Sequence, residues 1–288
     1  MAAIWINQIV QGVLLGGLYA MFAMGLSLSV GVMQFVNIAH GDLIVLVSFL
    51  LLSLTSALGL SPILAGLLAL PVAFVGGYLL QRLLLQRVLG KGVLPIILVT
   101  FGLSIIVQNG LLGIYGADTR KVAGGAIETA TIPVGGGVNI GVLPGLIFVS
   151  AIVLIFALDR LLYHTRLGAR IRAVSDDVGT ANLIGLKSAR IYAVAMGLVG
   201  ATIAISAGFM SVWTNFDPGS GPSRLIIAFE AVVLGGLGSL WGTLAGGVAL
   251  GVAQAIGAQF DAAWQILAGH IVFLAIFIVR PQGLFPRN

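Results

Sequence analysis

Apolar runs alternate with short polar connectors along almost the entire chain. The runs fall at roughly 8–32, 42–60, 62–80, 95–115, 143–162, 189–213, 225–237, 241–258 and 265–280. A helix crossing the hydrocarbon of a bilayer needs about 20 mostly apolar residues, and most of these runs reach that length. Several starts carry their own signature. Ser61-Pro62 reads as an N-cap followed by proline at the first helical position, and Pro95 and Pro144 open apolar runs in the same way. The 225–237 run is too short to cross alone and ends in Gly235-Gly236-Leu237-Gly238-Ser239. It predicts a half-helix, or one arm of a re-entrant hairpin near 225–258, and broken backbone at that depth must be buried in protein or line a polar cavity. The pattern predicts an all-α polytopic transmembrane bundle of about eight or nine membrane segments, forming one membrane domain over residues 1–288.

Composition agrees. Hydrophobic residues make up 59% of the chain and charged residues 8%, with a mean hydropathy of +1.14, which no soluble surface of this size accommodates. The net charge of +5 would suit a nucleic-acid partner, but the basic residues sit in connectors and read as topology signals instead. One connector holds Arg82, Arg87 and Lys91, a second holds Arg160, Arg166, Arg170, Arg172, Lys187 and Arg190, and the C-terminus holds Arg280 and Arg287. Lys and Arg are retained on the cytoplasmic side during insertion. Alternating spans place all three groups on that side, with Arg120, Lys121 and Arg224 opposite. The expected location is therefore the bacterial inner membrane, multi-pass, N-terminus outside and C-terminus cytoplasmic. Residues 1–6 lack the basic region of a cleavable signal, so the first run is expected to remain as a span. The absence of cysteine removes disulfides, thiol catalysis and cysteine-ligated metals from consideration.

Glycine supplies 41 residues, many at small-xxx-small spacing, as in Gly12/Gly16/Ala20, Gly242/Gly246 and Gly247/Gly251. Such stripes let helix backbones approach closely. Trp5, Trp213 and Trp264 fall near predicted outer ends, where their amphipathic rings would anchor in the headgroup region.

Polar side chains inside apolar runs are the candidate functional residues, because each is costly there. Asn37, His40 and Asp42 cluster where the first two spans join. They would brace a break in the chain or line a solute pathway, and Asp42 is equally placed to be an N-cap. Glu230 is the clearest intramembrane carboxylate, with three readings open: facing a cavity, pairing with a cation of another helix, or carrying a proton. Gln108 and Asn109 are further pathway candidates, and these two and His270 also suit interhelical hydrogen bonds. The connector at about 163–188 mixes apolar and polar residues at helical spacing, with Ala173, Asp177, Ala181 and Ile184 three or four apart, so it reads either as short helices presenting a face to a partner or as a plain connector. Catalytic patterns are missing: no HExxH, GxSxG or GxxxxGK[ST] occurs, and the three histidines lie on separate segments. No catalytic residue, bound metal or cofactor is expected, and any ATP would be hydrolysed by another chain.

Four blocks, in order, resemble the permease subunits of branched-chain amino-acid ABC importers, the LivH type of the hydrophobic amino-acid uptake family. They are Gly17-Leu18-Tyr19-Ala20 through Gly25-Leu26-Ser27-Leu28; Asn37-x-Ala39-His40-Gly41-Asp42; Gly168-Ala169-Arg170-x-Arg172-Ala173-Val174 to Ala181-x-x-x-Gly185; and Ala228-Phe229-x-x-x-x-Leu234-Gly235-Gly236-x-Gly238-Ser239 with Arg280-Pro281-x-Gly283-Leu284-Phe285. The resemblance implies that the second basic loop couples to a cytosolic ATPase subunit. Arg170, Arg172, Asp176, Asp177, Ala181 and Gly185 would then belong to the coupling region, with 176–185 seated in the ATPase. It implies a second related permease chain, cytosolic ATPase subunits, a periplasmic solute-binding protein and surrounding lipid as partners, and places an uncharged residue where Glu230 stands. Related permeases move urea, short amides and other small polar solutes. The rival reading is a self-sufficient channel or secondary transporter for a small polar solute such as urea or an amide, with Glu230 and the 37–42 cluster as its ion site.

Overall fold

Which backbone groups can be left without water decides the architecture, and the helices account for nearly all of them. The computed structural model describes residues 2–135 and 138–285. Its elements run α1 (Ala2–Met33), α2 (His40–Leu58), α3 (Pro62–Leu83), α4 (Val93–Tyr115), α5 (Ala126–Thr129), β1 (Thr131–Gly135), β2 (Val138–Gly141), α6 (Val142–His164), α7 (Arg166–Asp176), α8 (Val178–Leu183), α9 (Ser188–Trp213), α10 (Gly221–Gly235), α11 (Leu240–Phe260) and α12 (Trp264–Val279). Seven of the helices (α1 to α4, α6, α9 and α11) are long and apolar enough to span a bilayer. The shorter apolar helices α10 and α12 complete the bundle. The chain is a multi-pass membrane protein.

Boundary signals in the sequence translate into caps with small shifts. Ser61 Oγ accepts from Leu64 N, and Pro62 takes the first helical position of α3. Pro95 and Pro144 sit inside the first turns of α4 and α6, two residues after each start. An all-helical expectation misses one element. β1 and β2 pair antiparallel, with Thr131 opposite Gly141 and Ile132 opposite Ile140, strands written largely in β-branched residues.

The two ends of the molecule are fixed by what touches α1. Asn7 Oδ1 accepts from Asn139 N and Gln11 Nε2 donates to the Asn139 carbonyl, which seats the hairpin near the start of α1. Ser175 Oγ donates to the Gly31 carbonyl, which seats α7 at its other end. At about 1.5 Å rise per residue those attachment points are roughly 30–36 Å apart, the thickness of a bilayer core. The basic connectors lie at the α7 end and the hairpin at the opposite one.

Backbone proximity holds the bundle's centre. The glycine stripe of α1 faces that of α11: a Cβ on Gly12 would come within 2.6 Å of Val252 Cα, and one on Gly251 would collide with the Gly12 carbonyl. α11 then meets α10 in the same manner through Gly242 and Gly246. α3 lies against α9, where a Cβ on Gly200 would strike the Ala73 carbonyl. The predicted stripes are thus packing surfaces inside this chain. Trp5 lies with its ring 5.9 Å from that of Phe260, and Trp264 is exposed near the same end.

Gly251→Leu forces two backbones apart, so about 3 kcal/mol or more of strain is expected together with loss of folded protein from the membrane. Gly110→Leu, on an open face of α4 with nothing near the added atoms, is expected to leave accumulation and the detergent melting temperature unchanged. Fluorescence-detected size exclusion with a melting curve checks both.

Candidate functional site

Two helices of the bundle begin at mid-depth, and their starting ends touch. After α1 ends, residues 34–39 run back into the protein. His40 opens α2 fully buried, with its Nε2 hydrogen-bonded at 2.9 Å to the carbonyl of Phe22 in the middle of α1. Phe22 is about 14 Å above Gly31 along the helix. Asn37 closes the break: its Oδ1 accepts from Ala39 N at 3.0 Å and its carbonyl accepts from His40 N at 3.1 Å. By sequence Asp42 is a possible N-cap. The structure places Ala39 at that position, and Asp42 lies within the first turn with its carboxylate turned to a different helix. There Gln108 Nε2 donates to Asp42 Oδ1 at 2.9 Å and to Ser104 Oγ at 3.0 Å.

α10 begins against this point. A Cβ on Gly221 would collide with Asp42 Oδ1, and one on Gly41 would collide with the Gly221 carbonyl and come within 2.8 Å of Leu225 N. Glycine is thus required at 41 and 221 because the starting turns of α2 and α10 cross in direct contact. The α10 start is tied by its own turn, in which Asp217 Oδ1 accepts from Gly219 N and Ser220 Oγ donates to the Asp217 carbonyl. The half-helix expected within 225–258 is therefore α10, which starts earlier, at Gly221. The 37–42 cluster belongs to a second partial crossing that the sequence marks only by its polarity.

Below the crossing lies a cavity of about 1350 Å³ that opens at the basic-connector end. Phe35, Val36 and Ile38 from the returning segment, Ile96 and Ile97 from α4, and Phe229 and Val233 from α10 form much of its wall. The wall is mostly apolar, and Gln34, Gln86, Ser188, Tyr192 and Gln282 add its polar positions.

Asn37, His40, Asp42 and Gln108 thus come together, and two candidates do not join them. Asn109 is on the outward face of α4, donating to its own helix at Ile105 O. Glu230 lies elsewhere: its Oε1 is 2.5 Å from His270 Nδ1 of α12, with Glu230 buried and His270 half-exposed. The structure thus gives Glu230 a partner on another helix. Nearby, Tyr19 donates its hydroxyl proton to Gln254 Oε1 at 2.5 Å, joining α1 to α11. Arg224, grouped by sequence with the outer residues, is carried inward by α10, its guanidinium 6.0 Å from the Phe22 ring and donating to Asn215 O. Tyr19 lies in the first of the four blocks but without a role assigned to it, whereas Gln254 and Gly221 lie in no block, and only their contacts disclose them.

The loop at the basic end is built from side chain to backbone. Thr165 Oγ1 accepts from Gly168 N to start α7, whose Ile171 and Val174 are buried. Asp177 separates α7 from α8. It accepts from Thr180 Oγ1 at 2.6 Å and from the amides of Gly179 and Thr180, and these bonds, led by the Thr180 hydroxyl, hold its carboxyl below the usual carboxylate range. The break at Asp177 rotates α8 relative to α7, so Ala173, Asp177, Ala181 and Ile184 do not share one face. Ala181 is buried, whereas Leu183 is 89% and Ile184 70% exposed. Gly185 turns the chain with φ of 86°, Arg170 and Asp176 are exposed, and Arg172 lies over the Tyr163 ring at 4.9 Å.

Residues 8–279 match the family described as branched-chain amino acid transport system, permease component. The chain belongs to that family. Over 98% of its length it is 29% identical to the high-affinity branched-chain amino acid transport system permease protein BraD of Pseudomonas aeruginosa, covering 96% of that protein. With the same coverages it is 27% identical to LivH of Escherichia coli K12. A probable LivH of Methanocaldococcus jannaschii is 25% identical over 96% of this chain and 92% of its own. No solved structure matches the chain. As a permease component, it has the two partial helices and the cavity beneath them as its most distinctive polar architecture.

Glu230→Ala leaves the His270 imidazole without its acceptor in a largely apolar setting. A loss of about 1–3 kcal/mol is expected, seen as a lower melting temperature in detergent. Glu230→Gln, which keeps an acceptor oxygen, is expected to lose less.

Proposed function

We propose that this chain is the membrane-spanning subunit of an ATP-driven importer, carrying branched-chain or related amino acids handed to it by a solute-binding protein. The observation that carries the reading is the tip of the α7–α8 loop. Leu183 and Ile184 are large apolar side chains, 89% and 70% exposed, at the end of the molecule where the basic connectors gather. A tip in water has no use for two such residues, and an apolar tip on a capped, rigid pair of short helices suits insertion into a groove of another protein. The ATPase subunit is that partner, with Asp177 and Gly185 shaping the tip and Arg170 and Asp176 at its rim.

Orientation follows from the same end. Arg82, Arg87, Lys91, Arg166, Arg170, Arg172, Lys187 and Arg190 are gathered there, so the rule that basic residues stay inside makes it cytoplasmic and turns the hairpin outward, toward the binding protein. Arg287 lies outside the described residues. The substrate comes from two supports: the relatives are named for branched-chain amino acids, and the cavity wall is mainly aliphatic and aromatic, a surface an aliphatic side chain can leave water to meet. A second, related permease chain completes the membrane unit in lipid. ATP is bound by the ATPase subunits, and this chain needs no cofactor of its own. The channel alternative required Glu230 as part of an ion site with residues 37–42, whereas Glu230 is paired with His270 and lies off the cavity wall.

Leu183→Asp with Ile184→Asp places two charges at the tip without touching a buried residue. The variant is expected to insert and accumulate normally, to lose co-purification of the ATPase subunit and to lose ATP-driven leucine uptake, since an unpaired charge pressed into an apolar groove costs about 3–5 kcal/mol. Normal uptake by that variant would refute coupling through this loop.

A further inference from the structure

We propose that His270, held by Glu230, is a contact for the solute between this chain and a second permease, its Nε2–H donating to the carboxylate of the amino acid. The inference rests on the amino-acid importer reading and adds to it the residue that meets the solute's charged end. It starts from a polar side chain at an apolar depth. α12 is about 24 Å long, and His270 stands about 9 Å from its Trp264 end, inside the hydrocarbon layer. The helix packs against α11 and α10. The imidazole meets Glu230 through Nδ1 at 2.5 Å, yet its side chain is 37% exposed. Its Nε2 has no hydrogen-bond partner among the described residues. A polar ring directed at lipid is costly, so the free side of His270 calls for a polar cover from outside the chain. In an assembly of two permease chains, the solute passing between them supplies it.

The pairing fixes what Nε2 can do. A carboxylate beside a neutral imidazole would leave one negative charge in the bundle, and nothing else is placed to balance it. Glu230 Oε2 is buried without a hydrogen-bond partner, and among the described residues His270 is the one cationic group within ion-pair distance of Glu230. Arg224 stands six residues back on α10, about 9 Å along the helix, and donates to the Asn215 carbonyl instead. An uncompensated charge is expensive at this depth, so the pair is neutral as a unit: a carboxylate with an imidazolium, or a carboxyl group donating to Nδ1. In the first case both ring nitrogens carry protons, and in the second the imidazole's one proton is on Nε2. Either way Nε2 presents a donor. The strongest acceptor an amino acid brings to it is the carboxylate.

Position suits that contact. α10 and α12 carry Phe229, Val233 and Phe277 in the cavity wall. From that wall toward the hairpin end, Glu230 and His270 are the first polar side chains on their helices. Glu230 lies about one turn from Val233. His270 lies two turns from Phe277 on the same face of α12, since seven residues return a helix to within about 20°. The wall's own polar positions, Gln34, Gln86, Ser188, Tyr192 and Gln282, are all uncharged. An amino acid with its aliphatic side chain on this wall therefore finds its charge-matched donor just beyond it, at His270, with Glu230 as the residue that positions the ring.

The test reconstitutes the chain with its ATPase, permease and binding-protein partners in liposomes and measures leucine uptake and ATP hydrolysis together. His270→Leu, which keeps bulk and removes the donor, is expected to lower the leucine carried per ATP hydrolysed by about tenfold or more, the worth of a hydrogen bond to a charged group. His270→Gln, which keeps an N–H donor, is expected to recover most of that ratio. Glu230→Ala, which keeps the ring but frees it, is expected to fall between the two. A loss of stability alone lowers the yield of complex and leaves the ratio unchanged. An unchanged ratio in His270→Leu overturns the inference. Equal losses in His270→Leu and His270→Gln overturn it too, and separation of the two permease chains in both variants then assigns the ring to the chain interface. Because the chain contains no cysteine, a single thiol decides even if those variants do not assemble. His270→Cys, co-expressed with the partner subunits, is treated in membrane vesicles with a membrane-impermeant thiol reagent applied to both faces. Labelling of this chain is expected, and a thiol that stays unlabelled overturns the inference. Uptake by the unaltered assembly that ignores ATP refutes the importer reading, whereas ATP-driven uptake unaffected by His270→Leu refutes this inference alone.

Discussion

A helix that stops halfway across a bilayer leaves backbone donors and acceptors where water cannot reach them, and the arrangement of this protein depends on how those groups are served. The chain does so twice at one place. Asn37 supplies the side-chain and carbonyl oxygens that receive the amides of Ala39 and His40 at the start of α2, the Asp217–Ser220 turn closes on itself just before α10, and each helix start covers the other. Neither start could lie at this depth alone. Their mutual burial is what permits a polar cluster of Asn37, His40, Asp42 and Gln108 inside an apolar bundle.

The remaining architecture keeps that crossing in place. α1 and α11 touch through glycines along their length, and α11 and α10 do so again, so the scaffold beside the crossing consists of backbones in contact and has little room to slide. α1 also connects the two ends, receiving the hairpin at Asn7 and Gln11 and α7 at Gly31. α7 is thereby seated on the last turn of α1, immediately before the returning segment that leads into α2. The Glu230–His270 pair sits on the flank, joining α10 to α12.

Much of this architecture is legible in the sequence. Hydropathy alone marks the spans, because a bilayer demands a continuous apolar length, and the glycine stripes announce their own contacts since only close backbones reward that spacing. The short 225–237 run ending in glycines correctly signals a half-helix. The partial start of α2 is less visible: a polar interruption between two full-length runs reads equally as an ordinary connector, and depth is set by the His40 contact with Phe22, which no local pattern encodes. The partner of Glu230 stands 40 residues away on another helix and comes only from packing. In the loop, helical spacing suggests that Ala181 faces outward, but the break at Asp177 rotates α8 and buries it, leaving Leu183 and Ile184 as the tip. The hairpin after α5 escapes because a short β-branched stretch between two spans resembles any extramembrane connector.

If this chain translocates solute only as part of an ATP-driven assembly, the purified chain alone must be inert. Liposomes containing it alone are compared with liposomes containing the chain and its co-purifying ATPase, permease and binding-protein partners, following accumulation of radiolabelled leucine with and without ATP. Accumulation that requires both the full assembly and ATP is the predicted result. Leucine uptake by the chain alone, indifferent to nucleotide, would contradict it.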